Sequence, residues 1–507
     1  MKRAFISVWD KSGLEELARY LHTHGFSIVA TEGTAREIEA WGIPATAVEE
    51  ITGQPAMMDG RIKTADMRIF GPILADKDKP EHLRDLERLE QEPIDLVVVN
   101  LYPFPEMLHQ GLSREEMLEY IDVGGPSLLR AAAKNSRHVL VLCRPEQYPR
   151  FQQLYDEYGD DIPLAYRQAL AAEVFHHTAT YDHLIGEYFS LAAEGPPPTI
   201  HIHAELHQSL RYGENPHQQA GFYLSPGQEP PWKQLQGKEL SYNNYTDIET
   251  AGQIVAEFDR PAAAIVKHAN PCGFGLGETP EQAYRKALAT DPVSSYGGVV
   301  GFNRPVDAVA ARSLTDIFLE CIIAPSFTPE ALALLKKKKN LRLLEAVPGE
   351  PPTPIWGIRT VAGGYLVQER DKFQGEDSWE VVSRKKPTPE EMQAMRLGWK
   401  LVRFVKSNAI IFAGLDQLLG IGAGQMSRVD AVILAGMKAG KANLDLSGAA
   451  MASDAFFPFA DGIEEAARLG ISAVIQPGGS IRDAEVIAAA NEHNMAMIFT
   501  HKRHFRH

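Results

Sequence analysis

The chain has 507 residues, 44% of them hydrophobic and 23% charged, a composition typical of globular proteins of about three domains. Its formal net charge of −15 argues against a general nucleic-acid or membrane-surface binder. A local basic pocket that holds a small anion remains compatible with this charge.

Targeting signals and cysteines point to an ordinary cytoplasmic protein. The N-terminal stretch MKRAFISVWDKSG has too short an apolar run for a signal peptide, and no apolar run approaches the roughly 20 residues that span a bilayer. Cys143, Cys272 and Cys321 are odd in number and far apart. They indicate neither a disulfide framework nor a C-x-x-C metal site, so we expect a reducing compartment and no membrane.

The first two hundred residues alternate predicted strands and helices, which favours a parallel α/β sheet. Residues 4–8 and 27–30 are predicted strands, and the following helices are predicted to open on capping boxes at Ser12 and Thr34. Helix N-termini carry free N–H groups that suit a phosphate, and Lys11 lies beside the first of them.

Polar side chains then follow a basic loop and a buried strand. The run MDGRIKT places Arg61 and Lys63 in a glycine-containing loop, where a solvated turn is the simpler interpretation. The apolar run 96–99 predicts a buried strand, and Asn100 and Tyr102 come directly after it. Ligands of open α/β sheets bind at such carboxyl ends, although a tyrosine before proline more often serves packing.

A Gly-Gly turn and a long helix precede the clearest linker of the chain. Asp122 stands before the turn, and Lys134 lies near the end of the predicted helix, where a cation suits the dipole. The run GPPP at 195–198 predicts the main boundary, giving domains 1–197 and 198–507, with a further split of the second near 345–390.

The stretch PAAAIVKHANPCG is the centre of the second part. Its apolar run 262–266 predicts a buried strand that ends in Lys267 and His268 and then turns through Pro271 and Gly273. A lysine and a histidine at a strand end can supply an electrophile and a proton carrier. For one isolated pair, a solvent-facing lysine and a turn-capping histidine remain the simpler alternative.

The same stretch does not predict a zinc site. Zinc base deaminases use H-x-E followed by P-C-x-x-C. Here Asn270 replaces the glutamate, and Cys272 has no second cysteine three residues later. Both the proton-transfer carboxylate and one ligand are therefore missing.

Twelve motifs together make the chain resemble the bifunctional AICAR formyltransferase/IMP cyclohydrolase family. They run in the family order between Ala4 and His507: DGRIKT, NLYPF, DVGGPSLLRAAAKN, RYGENPHQ, VKHANPCG, DPVSSYGG, KKNLRLL, KSNAI, GAGQMSRVD, SDAFFPF, QPGGSIRD and RHFRH. The resemblance implies an α/β protein with an N-terminal methylglyoxal-synthase-like parallel-sheet domain. It also implies a C-terminal region of two cytidine-deaminase-like α/β subdomains.

For formyl transfer, the resemblance implies His268 as proton shuttle, Lys267 as stabiliser of the oxyanion and leaving group, and Asn408 as the residue that orients the formyl oxygen. The amine of AICAR attacks the formyl group of N10-formyltetrahydrofolate, a cosubstrate rather than a tightly bound cofactor. The positions implied to hold the nucleotide are Arg211, Tyr212, Tyr296, Gly297, Phe456, Asp461, Arg503 and Phe505.

For the ring closure of FAICAR to IMP, the resemblance implies the catalytic positions Lys63, Tyr102, Asp122 and Lys134 and no cofactor. The implied substrate-holding positions are Ser7, Lys11 and Thr34 in the phosphate turns and Arg61 and Thr64 beside Lys63. The resemblance also implies a homodimer with shared formyltransferase sites, and no nucleic-acid partner.

The chain departs from the family pattern around this second site. Trp9 replaces a usual serine, Glu32 replaces a usual glycine, and Ala65-Asp66-Met67 and Gly71-Pro72 replace Leu-His-Pro and Gly-Gly. Glu32 is expected to weaken phosphate binding unless it points away or pairs with Lys11 or Arg36. Two alternatives therefore stay open: a formyltransferase without cyclohydrolase activity, and a non-enzymatic nucleotide sensor.

Overall fold

The computed structural model describes residues 2–58, 61–108, 110–190, 199–225, 228–346 and 356–507. It divides the chain into two units, Met1–Ile202 and His203–His507. The predicted linker at 195–198 and the loop VPGEPPTP at 347–354 lie outside the described residues. Within the described residues, no helix has both the length and the apolar character needed to cross a bilayer.

The first unit alternates strands and helices as the sequence predicts. Its described strands are β1 (Lys2–Ser7), β2 (Phe26–Ala30), β3 (Ala45–Ala47), β4 (Leu96–Val99) and β5 (Leu140–Leu142). Its described helices are α1 (Leu14–Thr23), α2 (Glu32–Ala40), α3 (Val48–Thr52), α4 (Met67–Leu74), α5 (Pro80–Arg88), α6 (Phe104–Met107), α7 (Arg114–Leu118), α8 (Gly124–Lys134), α9 (Tyr148–Tyr158) and α10 (Leu164–Ser190), with short 3₁₀ turns at Pro145–Gln147 and Gly159–Asp161.

The five strands form one parallel sheet in the order β3-β2-β1-β4-β5. Both faces of the sheet are buried, because alternate side chains of the apolar strands pack into two separate clusters. The strand β2 lies on one side of β1, and β4 lies on the other side. The carboxyl ends of β1 and β4 therefore border the crevice where sheets of this kind bind ligands.

The second unit combines antiparallel hairpins with groups of parallel strands. Its described strands are β6 (Glu205–Leu210), β7 (Ala220–Leu224), β8 (Lys233–Gln236), β9 (Ala262–Lys267), β10 (Asn270–Leu276), β11 (Gly298–Phe302), β12 (Leu319–Ala324), β13 (Arg342–Glu345), β14 (Trp356–Val361), β15 (Gly364–Glu369), β16 (Glu380–Val381), β17 (Ile410–Ala413), β18 (Leu418–Gly422), β19 (Ala450–Ser453), β20 (Ala473–Gln476) and β21 (Ala496–Phe499). Its described helices are α11 (Tyr242–Ala256), α12 (Pro280–Thr290), α13 (Pro292–Ser295), α14 (Ala308–Leu314), α15 (Pro329–Leu335), α16 (Pro389–Val402), α17 (Arg428–Lys441), α18 (Asp461–Arg468) and α19 (Asp483–Glu492).

Two six-stranded mixed sheets of this unit share one topology. The first has the order β10-β9-β11-β12-β13-β8, and the second has β18-β17-β19-β20-β21-β16. In the order given, the first two strands of each sheet form an antiparallel hairpin, and the second strand is also antiparallel to the third. The third, fourth and fifth strands run parallel to one another, and the sixth is antiparallel to the fifth. The second unit therefore contains one strand arrangement twice.

The two sheets meet at their edge strands, β10 and β18. An antiparallel bridge joins Gly275 to Gln417, and the amide of Leu276 donates to the carbonyl of Asp416 at 2.8 Å. One cluster of buried apolar side chains extends from the first sheet into the second. Each sheet thus covers the edge that the other would expose to water.

Several local expectations are wrong. Ser12 and Thr34 are not N-caps, since α1 follows Gly13 and α2 follows Thr31, neither with a side-chain cap. Pro271 and Gly273, which the sequence predicts in a turn, lie inside β10. This strand needs glycine because a helix packs closely on it: a Cβ on Gly273 would lie 2.0 Å from the carbonyl oxygen of Ala287.

Candidate active sites

The Lys267–His268 pair lies where β9 ends and a two-residue turn leads into β10. Lys267 is the last residue of β9, and β10 begins at Asn270. His268 and Ala269 form the turn with φ values of +54° and +57°. The turn therefore leaves His268 exposed at the end of a buried strand, while Lys267 is half-buried.

The Lys267 ammonium is fixed by a neighbouring loop. Its Nζ donates to the carbonyl oxygen of Tyr296 at 2.7 Å. Gly297 follows with φ +75°, and its amide donates to the carbonyl of Phe318 at 2.7 Å. The Tyr296 and Phe318 rings also contact each other, with centroids 5.5 Å apart. This loop holds the cation at the strand end.

Asn408 is oriented by a buried arginine. Its Oδ1 accepts a hydrogen bond from Nη2 of Arg428 at 2.9 Å, and its Nδ2 donates to the carbonyl of Met426 at 3.2 Å. Arg428 also donates to Ser453 at 2.8 Å and forms an ion pair with Asp454, which is fully buried. The amide is therefore held with a defined orientation.

One hydrogen bond joins the Asn408 segment to the Lys267–His268 turn. The amide of Lys406 donates to Oδ1 of Asn270 at 3.0 Å. Lys406 is two residues before Asn408, and Asn270 is two residues after His268. The contact between the two sheets therefore brings the three predicted formyl-transfer residues into one region.

The C-terminal tail is held beside this region by hydrogen bonds. The amide of His504 donates to the carbonyl of Asp454 at 2.9 Å, and Ser407 and Arg506 exchange two hydrogen bonds. Phe505 lies between these anchors, and the guanidinium of Arg503 lies over its ring, 4.3 Å from the centroid.

The other predicted nucleotide-binding residues lie on separate segments. Arg211 stacks on the Tyr212 ring at 4.9 Å, in a loop that Asn243 at the start of α11 contacts through the Glu214 carbonyl at 3.5 Å. Asp461 is the first residue of α18, and Phe456 is exposed before that helix. No hydrogen bond or ring contact of the described residues joins Arg211 or Asp461 to Lys267 or Asn408.

The stretch HANPC, which was compared with a zinc motif, has its histidine at the surface and its cysteine in the interior. His268 is exposed in the turn, whereas Cys272 lies buried in β10 with its sulfur 3.5 Å from the Ile265 carbonyl oxygen. Burial raises the pKa of the Cys272 thiol to about 12, which disfavours the thiolate form that binds metals. Among the described residues, the one group with metal-ligand spacing is Asp76, Asp78 and His138, which Lys79 and Arg137 neutralise.

Asp122 is the centre of the cluster in the first unit. Its Oδ1 accepts from the amide of Gly125 at 2.7 Å, and its own amide donates to the hydroxyl of Tyr181 at 2.9 Å. Burial raises the pKa of the Asp122 carboxyl, while the amides of Gly125 and Tyr102 and the charge of Lys63 oppose the rise. The Tyr102 amide and the Lys63 ammonium are thus near enough to the Asp122 carboxyl to influence its ionisation.

Other predicted residues surround this cluster or lie away from it. Thr64 is buried against the start of α8, with its hydroxyl 3.1 Å from where a Cβ on Gly124 would lie. Arg61 forms an ion pair with Glu119. Lys134 is exposed at the other end of α8, about 15 Å along the helix from Gly124 at 1.5 Å per residue. The structure therefore does not group Lys134 with the other three.

The predicted phosphate-holding residues meet at the ends of β1 and β2. Lys11 Nζ donates to Thr34 Oγ1 at 3.1 Å, and the hydroxyl of Thr31 donates to Ser7 at 3.4 Å. Burial lowers the pKa of the Lys11 ammonium, and the charge of Glu37 opposes that shift.

The departures from the family pattern are accommodated locally. Trp9 packs edge-on against the Tyr102 ring with centroids 5.2 Å apart. Glu32 forms an ion pair with Arg36, one of the two partners that the sequence allows. Asp66 caps α4 through the amide of Arg68 at 2.8 Å.

Three polar residues of the second unit escaped the sequence-based prediction. Arg428 and Asp454 orient Asn408, and Asp247 on α11 accepts the Ala269 amide at 2.6 Å. The dipeptide Ser-Asp directly after the apolar run AMA was a signal for Asp454, because a carboxylate at a buried strand end requires a partner. Asp247 left no comparable signal within its helix.

The fold and these clusters define an α/β enzyme with one candidate site in each of two units. A family profile described as AICARFT/IMPCHase bienzyme matches residues 132–438, and one described as MGS-like domain matches residues 13–127. The chain is 49% identical over 521 residues to the bifunctional purine biosynthesis protein PurH of Desulfitobacterium hafniense, with 100% of both chains covered. It is 47% identical over 517 residues to PurH of a Cyanothece species, with 99% of both covered. The chain belongs to the AICARFT/IMPCHase bienzyme family.

A solved structure, that of ForH, aligns with 38% of this chain and 99% of its own length at 34% sequence identity. Its TM-score is 0.35.

Proposed function

We propose that the two reactions of the bienzyme family take place at the two clusters described above. The chain transfers a formyl group to AICAR and closes the resulting FAICAR to IMP. Formyl transfer is assigned to the second unit and ring closure to the first. The hydrogen bond between Lys406 and Asn270 supports the first assignment most directly, because it joins the Asn408 segment to the Lys267–His268 turn.

In formyl transfer, the 5-amino group of AICAR attacks the formyl carbon of N10-formyltetrahydrofolate. His268 takes the proton that the amine loses, and the bond from the formyl carbon to N10 breaks as N10 gains a proton. Lys267 stabilises the oxyanion of the tetrahedral intermediate, and Asn408 orients the formyl oxygen. General acid–base help of this kind contributes about 10²–10⁴-fold to the rate.

We also propose that eight residues of the second unit bind the nucleotide during this reaction. The guanidinium groups supply the charge for its phosphate, and the aromatic rings pack against it. The set is Arg211, Tyr212, Tyr296, Gly297, Phe456, Asp461, Arg503 and Phe505.

In ring closure, the carboxamide nitrogen attacks the formamide carbon, and water leaves. Asp122 accepts a proton from the nitrogen, and Lys63 and Tyr102 assist the departure of the oxygen. The contacts of Ser7, Lys11, Thr34 and Thr64 support their assignment to substrate binding, together with Arg61. Lys134 stays a catalytic prediction without a contact to this cluster.

The remaining assignments follow from the family and are proposals for this chain. They are a cytoplasmic homodimer with shared formyltransferase sites, N10-formyltetrahydrofolate as cosubstrate with no tightly bound cofactor, no nucleic-acid or membrane partner, and domains 1–197 and 198–507, the second of them split near 345–390. The acidic net charge supports the absence of a nucleic-acid partner.

The deciding experiment separates the two activities in the full chain. Wild-type protein with AICAR and N10-formyltetrahydrofolate is expected to form tetrahydrofolate and IMP. His268→Ala is expected to lose about 10²-fold or more of formyl transfer while it still converts added FAICAR to IMP. Asp122→Asn is expected to show the reverse pattern. Formyl transfer retained by His268→Ala would disprove the assignment of the proton shuttle.

A further inference from the structure

The turn that carries His268 has an unusual composition. Two-residue turns with positive φ at both positions favour asparagine and glycine, because a Cβ crowds the left-handed backbone. Here the two positions are His268 and Ala269, at +54° and +57°. A contact outside the turn therefore has to hold the backbone in this conformation.

Asp247 supplies this contact from α11, which packs on β9 and β11. Its Oδ1 accepts the hydrogen bond of the Ala269 amide at 2.6 Å. The Asn270 side chain adds a longer hydrogen bond to the His268 carbonyl, at 3.3 Å. The carboxylate is thus the principal anchor of the turn.

Asp247 is buried without a basic ion-pair partner in the described part of the chain, which indicates a role beyond packing. Its side chain is 8% exposed, and within the described residues it has no ion pair with a lysine or arginine. Burial raises the pKa of this carboxyl, while hydrogen bonds from the amides of Ala269 and His268 and the nearby His268 imidazole and Lys267 ammonium oppose the rise. The buried thiol of Cys321 on β12 is also near it. The carboxylate therefore acts mainly on the amides of the turn, on the His268 imidazole and on the neighbouring Lys267 ammonium.

We propose that Asp247 is a positioning residue for formyl transfer. It fixes the turn so that the His268 imidazole reaches the attacking amine, and its negative charge stabilises the imidazolium that forms when His268 takes the proton. Asp247 does not touch the substrate; it acts through His268. This inference rests on the proposed role of His268.

The test uses Asp247→Asn and Asp247→Ala in the full chain. Asparagine keeps the acceptor oxygen for the Ala269 amide and removes the charge, so we expect kcat for formyl transfer to fall about 10-fold. Alanine removes the anchor as well and is expected to cost a further factor of about 10. The KM for AICAR should change less than about twofold, because substrate contacts are intact. Glu249→Gln, an exposed acid-to-amide change on the same helix, is the matched control and should leave both constants unchanged.

A double variant distinguishes action through His268 from a general structural effect. In a His268→Ala background, Asp247→Asn should produce no further loss. A wild-type kcat in Asp247→Asn, or a full additional loss in the double variant, would overturn the positioning role and leave the proposed function intact. If His268→Ala itself keeps wild-type formyl transfer, both the proposed proton shuttle and this inference are wrong.

Discussion

At the residue scale, Asp122 is a carboxyl on which burial and its polar neighbours act in opposite directions. Burial raises its pKa, and the net shift is upward. A general base must be ionised, and the ionised fraction falls as the pH drops through the pKa. As the pH is lowered, we therefore expect the rate of FAICAR ring closure to begin to fall at a higher pH than it would if Asp122 had the pKa of an ordinary aspartate. A pH–rate profile of IMP formation checks this, and the same decline in Asp122→Asn would assign it to another group.

The buried ion pair behind Asn408 gives a second prediction at this scale. Arg428 and Asp454 are 6% and 0% exposed at their side chains. Arg428→Ala leaves a buried carboxylate without its partner, so we expect the free energy of unfolding to fall by about 3–5 kcal/mol. Formyl transfer should also fall, because Asn408 loses its donor. Urea unfolding followed together with formyl-transfer activity measures both effects.

Arg260→Ala is the control for this substitution. It removes an exposed ion pair with Glu278 in the same unit, for which a change of about 0–1 kcal/mol is expected. Equal destabilisation by the two substitutions would contradict the difference between buried and exposed pairs.

The sequence alone reveals some residues of the proposed formyl-transfer site and not others. Lys267, His268 and Asn408 could be proposed from the sequence, because polar side chains at the ends of apolar runs are conspicuous and because the motifs resemble a known family. Their roles stay predictions. Asp247 and Arg428 could not be proposed in this way, since each acts on a segment about twenty residues away in sequence. Their partners are set by how a helix packs on a sheet.

At the scale of elements, the start of α8 depends on two glycines. A Cβ on Gly125 would lie 2.4 Å from Oδ2 of Asp122 and 2.8 Å from a methyl carbon of Leu101. We therefore expect Gly125→Ala to displace Asp122 and to lower ring closure at least about 10-fold, while formyl transfer is unchanged. Steady-state assays of the two reactions measure this.

Gly186→Ala is the matched control. Gly186 lies inside α10 with no heavy atom within 4 Å of an added Cβ, so alanine is expected to stabilise the helix by up to about 1 kcal/mol. Full ring-closure activity in Gly125→Ala would show that the position of Asp122 tolerates the added methyl group.

The elements of the first unit were more predictable than those of the second. Apolar runs that alternate with helices predict a parallel sheet, and the structure confirms it for β1 and β2. The hairpin of β9 and β10 was missed, because Pro271 and Gly273 are typical of turns. Their place in a strand depends on the helix α12 that packs against it, and this packing leaves no pattern in the local sequence.

For the whole molecule, the residues proposed for ring closure belong to the first unit and those proposed for formyl transfer belong to the second. Two full-length variants that each lack one activity should therefore complement each other. Asp122→Asn is expected to make FAICAR and His268→Ala to close it, so a mixture given AICAR and the folate should form IMP after a lag. Absorbance of IMP follows the reaction. A mixture that accumulates FAICAR without IMP would show that the intermediate does not pass between molecules.

The repeated strand order of the second unit bears on how such a protein originates. Two sheets of one strand order that cover each other's edge are the arrangement that duplication and fusion of a single gene would produce. With that origin, the two halves would have begun with the same side chains at the seam. The present asymmetry, with Lys267 and His268 in one half and Asn408 in the other, would then have arisen after the fusion.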